Sequence, residues 1–192
     1  FVAGYPTSSK YHWWATEIIA ESATALGVDD SNIALEFDES INVWNAPDKH
    51  GVFDAVWLPD LGAGKQDIAN GKFPLPSGES VAWQSLFIEQ GPHAAYTEDT
   101  RRQVLAELVK LLKPSGHLFL GKFPGVKRDS ALDLVTKVLP HGYTATPLDI
   151  KVSSVDYDQF GLIHIKPALA ERAEEAAPAQ RAAQPLAVPE ES

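Results

Sequence analysis

The chain has no cysteine and no methionine among its 192 residues. Without cysteine there is no disulfide, no thiolate nucleophile and no Cys-ligated metal site, which fits a reducing, cytoplasmic setting. Without methionine, a chain that opens on Phe1 reads as one whose start has been processed or cut. Basic residues are also scarce. Sixteen Lys and Arg stand against 26 Asp and Glu, leaving a formal charge of −10. The footprint of a nucleic-acid binder is therefore missing at whole-chain level, as is a polybasic membrane patch. No apolar run reaches the ~18 residues a membrane span needs, and no secretion signal is visible at the start. None of the six His stands three or four residues from another, the spacing that sets two metal ligands on one helix face.

What is present is ordinary for a globular protein: 44% hydrophobic and 22% charged residues, in a length that suits one domain with a tail. From 168 to 192 the chain is mostly Ala, Glu, Pro, Arg and Gln. Such composition does not offset the entropy of ordering, so a disordered tail is expected past about Ala177, after a helical start near 168–176.

The body, residues 1–167, alternates short apolar runs with helical patterns. Val2 and Ala3 belong to a first apolar run, followed by a polar loop from Tyr5 to Lys10. Tyr11 to Leu26 carries helical spacing and stops at Gly27. Strands are expected at Ile33–Phe37, more weakly at Ile41–Trp44, and at Phe53–Leu58. Residues 61–96 hold five Gly and three Pro and read as a long irregular insertion, the kind that usually carries function. Thr97 opens the clearest helix: Glu98 and Asp99 suit its positive end, and Val104, Leu105, Leu108, Leu111 and Leu112 form its apolar face. Pro114 and Gly116 stop it. A strand at His117–Leu120, a helix at Ser130–Leu139 and a closing hairpin, Thr144–Val152 with Gly161–Lys166, complete the pattern. This alternation implies an α/β domain: a mostly parallel, doubly wound sheet with helices on both faces and a C-terminal antiparallel hairpin.

Few residues offer chemistry. Asp60 is the leading catalytic candidate, because it follows a buried strand at the expected ligand edge of the sheet, where a carboxylate can orient a substrate or accept a proton. Capping a turn is its competing role. Gly4–Tyr11 has Thr7, Ser8 and Lys10 ahead of a helix, but Ser9 and Tyr11 replace the second Gly and the hydroxyl of a phosphate loop. A variant nucleotide-binding loop is thus a third-rank reading, and would make Lys10→Ala lose nucleoside triphosphate binding. His12 and His93 are candidates to reach a cleft. His117 and His164 fall within strands and read as structural. Trp13, in the aromatic cluster Tyr11–Trp14, can stack on a base or mark a protein interface.

Three stretches resemble class I S-adenosylmethionine-dependent methyltransferases. Phe53-Asp54-Ala55-Val56 begins a strand of the kind that ends beside the cofactor in that family. Val104 to Leu120 looks like its helix–Leu-Lys-Pro-Gly-Gly–strand unit, with Ser115 in the first Gly place. His141-Gly142-Tyr143 and the two strands after it look like its closing turn and hairpin. The order and spacing hold over residues 50–167. The resemblance implies a sheet of the methyltransferase type and methyl transfer from S-adenosylmethionine to an unidentified acceptor. It further implies that Gly4 and Tyr5 hold the cofactor's methionine part, that Glu36 or Asp38 takes its ribose hydroxyls, and that Leu58, Pro59 and Asp60 line its edge, with 61–96 shaping the acceptor pocket. The turn after the first strand holds one Gly rather than two or three, and Pro6 there has no N–H to donate. That departure keeps a second reading open: a non-catalytic, methyltransferase-like interaction subunit, whose protein partner would meet the aromatic N-terminal region or the insertion.

Overall fold

A computed structural model describes residues 2–3, 12–28, 34, 37–38, 47–58, 72–74, 80–82, 87, 97–123, 126–151 and 160–168. Among these residues lie three helices and eight strands. These are β1 (Val2–Ala3), α1 (His12–Ala25), β2 (Phe37–Asp38), β3 (Phe53–Leu58), β4 (Lys72–Pro74), β5 (Ser80–Ala82), α2 (Glu98–Lys110), β6 (Leu112–Phe123), α3 (Val126–Val138), β7 (Tyr143–Ile150) and β8 (Phe160–Pro167). A 3₁₀ turn at Pro47–Lys49 precedes β3.

Six strands form one sheet in the order β2-β1-β3-β6-β8-β7. β1, β2, β3 and β6 are mutually parallel. β8 is antiparallel to β6 and to β7, so the expected closing hairpin is present. The sheet is mixed, and the domain is α/β.

Side chains alternate across each strand, and the helices cover both faces. Val56, Leu58, Leu118, Leu120, Ile163 and Ile165 meet α2 (Val104, Leu105, Leu108) and α3 (Ala131, Leu134, Val135, Val138) in one core. On the other face Trp57, Phe119, Leu162 and Ile150 pack with Ile18 of α1.

Helix α2 forms where its cap and apolar stripe dictate. Thr97, in an extended conformation, accepts from the Thr100 N–H through its hydroxyl at 3.2 Å, satisfying one of the first turn's free donors. The helix ends against the start of β3. Gly51 N–H donates to Lys110 O at 2.8 Å, and the Val52 and Phe53 N–H groups donate to Leu111 O at 3.2 and 3.1 Å.

Several elements differ from the sequence expectation. β6 begins at Leu112, not His117. Phe53 pairs with Leu112 and Ala55 with His117, so Lys113–Gly116 bulges out of the ladder. Gly116 is needed there, since a Cβ would stand 2.9 Å from Leu112 Cβ and 3.1 Å from Phe53 O. α3 starts four residues before Ser130. Its first turn carries no apolar period, and tertiary contact holds it instead: Arg128 is paired with Asp149 of β7. The insertion contains an antiparallel pair, β4 with β5, in which Phe73 faces Val81. Only the end of the expected strand Ile33–Phe37 lies in β2. The expected strand Ile41–Trp44 and the tail beyond Ala168 lie outside the described residues. Among the described residues, no helix is long and apolar enough to cross a membrane.

Candidate functional site

From β1 the chain passes to β2 on one side, and β3 then returns to the other side of β1. At such a reversal the crossovers leave in opposite directions, and a crevice opens outside the carboxyl ends of the strands. The register brings three of those ends together. Ala3 of β1 pairs with Asp38 of β2, and Val2 pairs with Trp57 of β3, one residue before Leu58. Leu58 in turn pairs with Leu120 of β6.

Two of the sequence-predicted residues thus stand at this edge. Asp38 is the last residue of β2, beside Ala3. Leu58 is the last residue of β3, and its side chain is buried in the core beneath α2. Gly4, Tyr5, Glu36, Pro59 and Asp60 lie outside the described residues. Gly4 and Pro59 directly follow Ala3 and Leu58 in the chain. His93 also lies outside, and for His12 and Trp13 only the α1 backbone is described.

Two further features belong to the same edge. α2 is anchored at the amino end of β3, and its 13 residues span roughly 20 Å at 1.5 Å each, so its N-terminus lies toward the carboxyl edge. There Arg101 is only 6% exposed, a buried cation at the positive end of the helix dipole, where charge of that sign is disfavoured. Sequence reasoning passed over it. The signal was available: Arg101 continues the Val104–Leu105–Leu108 stripe back by one turn. The second feature is a break in the β6–β8 register between Leu120 and Phe123. Gly121 has φ +62° at this point, a left-handed conformation that glycine adopts at no steric cost. Bulges of this kind are common beside binding sites, where they re-aim a strand.

Away from the edge, on the face beneath α1, His117 and His164 are joined. His117 Nδ1 and His164 Nε2 are 2.8 Å apart, and His164 is 5% exposed. Its ring stacks on those of Phe119 and His117, with centroids 4.9 and 5.0 Å away. One nitrogen must donate and the other accept, so the facing atoms share one proton. The structural role expected of both residues agrees with this placement. Their pairing was not legible in sequence, because only the β6–β8 register brings positions 47 apart together. Among the described residues, no group of three His, Cys, Asp or Glu side chains is placed to hold a metal ion.

Trp57, second to last in β3, is 4% exposed, and its indole nitrogen has no hydrogen-bond partner among the described residues. Sequence reasoning saw it only as part of a buried strand. The edge therefore combines an acidic strand end, a strand end closed by Leu58, a bulge glycine and a buried indole donor. Polar groups of these kinds are those by which a small molecule is oriented in a cleft. The sequence matches no family model, and no curated protein matches it either.

Proposed function

We propose that the chain is a domain of the S-adenosylmethionine-dependent methyltransferase type, a doubly wound, Rossmann-like sheet that transfers a methyl group to an acceptor not yet identified. The observation that carries this reading is the junction of Ala3, Asp38 and Trp57–Leu58 at the carboxyl edge, at the point where the strand order reverses. The resemblance asks for such a junction: its cofactor-holding turn follows β1, its ribose-binding acid ends β2, and its catalytic edge ends β3. The antiparallel β7–β8 hairpin after Gly142-Tyr143 supports the same reading.

In this reading Asp38 or Glu36 accepts hydrogen bonds from the ribose hydroxyls, and Gly4 and Tyr5 hold the methionine part. Leu58 and Pro59 close the cofactor's edge against water. Asp60 orients the acceptor or takes its proton. The cofactor itself supplies an electrophilic methyl group. The protein's share is to hold the acceptor in line with it, which is a matter of positioning. The proposed location is cytoplasmic.

The test is calorimetry with S-adenosylmethionine. Saturable binding is expected, and Asp38→Ala combined with Glu36→Ala should weaken it at least tenfold. Absence of binding at millimolar cofactor would overturn the enzyme reading. It would favour the second reading, a non-catalytic interaction subunit, to which the single glycine and Pro6 of the turn after β1 already point.

A further inference from the structure

Among the described residues, two buried side-chain polar atoms stand without a hydrogen-bond partner: Trp57 Nε1 and Arg128 Nε. The second has a local explanation. Arg128 is already neutralised by Asp149 and lies 3.8 Å from Asp129, so its Nε is the spare donor of a group whose charge is met. Trp57 has no such account. An indole has one donor and no acceptor, and burying that donor unpaired is unfavourable. A phenylalanine in its place would fill much the same apolar space without the penalty. β3 nevertheless carries a tryptophan, one residue from the strand's carboxyl end and opposite Val2 of β1.

We infer that the Trp57 indole N–H is a ligand-binding donor, which gives its hydrogen bond to an oxygen or nitrogen acceptor of the small molecule held at the β1–β3 edge. The inference rests on the cofactor reading above and adds a residue to it. On that reading the acceptor is a polar atom of S-adenosylmethionine: its carboxylate, or an acceptor of its adenosine part. The position fits. Ile18, Phe119, Ile150 and Leu162 pack with Trp57 beneath α1, an apolar setting for the indole. Only Leu58 separates Trp57 from the end of the strand. The nitrogen is closed off from solvent, so an acceptor that bonds it is shielded from water as well. A hydrogen bond made in such a dry place is stronger than one made in water.

The experiment compares the full chain with Trp57→Phe. Calorimetry with S-adenosylmethionine should show binding weakened about tenfold, while the variant melts at the same temperature or higher because an unpaired donor has been removed. Methionine and adenosine, titrated separately, identify the acceptor: the fragment whose binding weakens in the variant carries it. A second readout uses the unmodified protein. The indole N–H of Trp57, assigned against the other four tryptophans by single Trp→Phe variants, should move downfield in the ¹H–¹⁵N spectrum on cofactor addition, and should do so even if Trp57→Phe does not fold. Equal cofactor affinity in variant and parent, or an unmoved Trp57 resonance at saturation, overturns this inference and leaves the cofactor reading standing. A parent chain that binds no cofactor overturns both.

Discussion

Beneath α2 and α3 the centre of the sheet presents aliphatic side chains: Val56, Leu58, Leu118, Leu120, Ile163 and Ile165. Beneath α1 the neighbouring positions on the same strands are Trp57, His117, Phe119 and His164. Both faces are covered and both exclude water, yet they solve different problems. The strand side chains on the aliphatic face bring no polar atom, so burial alone stabilises them. The other face buries ring nitrogens, each of which needs a partner. One nitrogen of His117 and one of His164 face each other; that of Trp57 lies one residue from the carboxyl end of β3. The comparison teaches that, among the strand side chains, the polar rings stand on one side of the sheet and the aliphatic ones on the other, where they hold the domain together.

The largest test of this division is Leu105→Ala. Leu105 is fully buried between α2 and the sheet, and removing its isobutyl group should cost about 2–5 kcal/mol in chemical denaturation. A loss below about 1 kcal/mol would mean that the aliphatic face is loosely packed and that the contrast between faces is overstated. A smaller effect is expected from His164→Phe. The ring and its stacking remain while the 2.8 Å contact to His117 is lost, so stability should fall by about 1 kcal/mol, the net value of one hydrogen bond. A neutral or stabilising result would show that the histidine pair serves as packing alone.

The smallest effect concerns Tyr143, at the start of β7, whose phenol is pushed above its usual value of 10.0 by desolvation on burial. The folded state therefore holds this proton more tightly than the unfolded chain does. The contribution is fully present below pH 10 and is lost as pH rises from there through the higher folded value. Tyr143→Phe should leave stability at neutral pH nearly unchanged and flatten the alkaline end of the pH–stability curve. An unchanged alkaline slope would show that the ring is solvated in solution.

Much of the fold was legible because local chemistry and tertiary packing agree. Thr97, the acidic first turn and the leucine stripe of α2 announce a helix in sequence, and the same stripe is what the sheet buries. Phe53–Leu58 and the closing hairpin stand at or near their expected places. Where the expectation fell short, the deciding contacts were distant. The first turn of α3 depends on Arg128 reaching Asp149. β6 extends back to Leu112 because Phe53 pairs with it across a bulge that only Gly116 permits. Of the candidate site, Asp38 and Leu58 were named because the resemblance sets a ribose-binding acid and a cofactor edge at the ends of the second and third principal strands. Arg101 and Trp57 were not named, although the stripe running back from Val104 to Arg101 and the apolar run around Trp57 both mark buried positions.

What the sequence determined by itself was the alternation of strands and helices, the caps and stops, and the excess of acidic charge, because each depends on residues within a turn or two of one another. Only the tertiary structure decided the strand order β2-β1-β3-β6-β8-β7, and with it the meeting of Ala3, Asp38 and Trp57 at one edge and of His117 with His164 beneath α1. The physical reason is that register is a pairing between strands far apart in the chain, fixed by which faces can be buried together, and no local pattern encodes it.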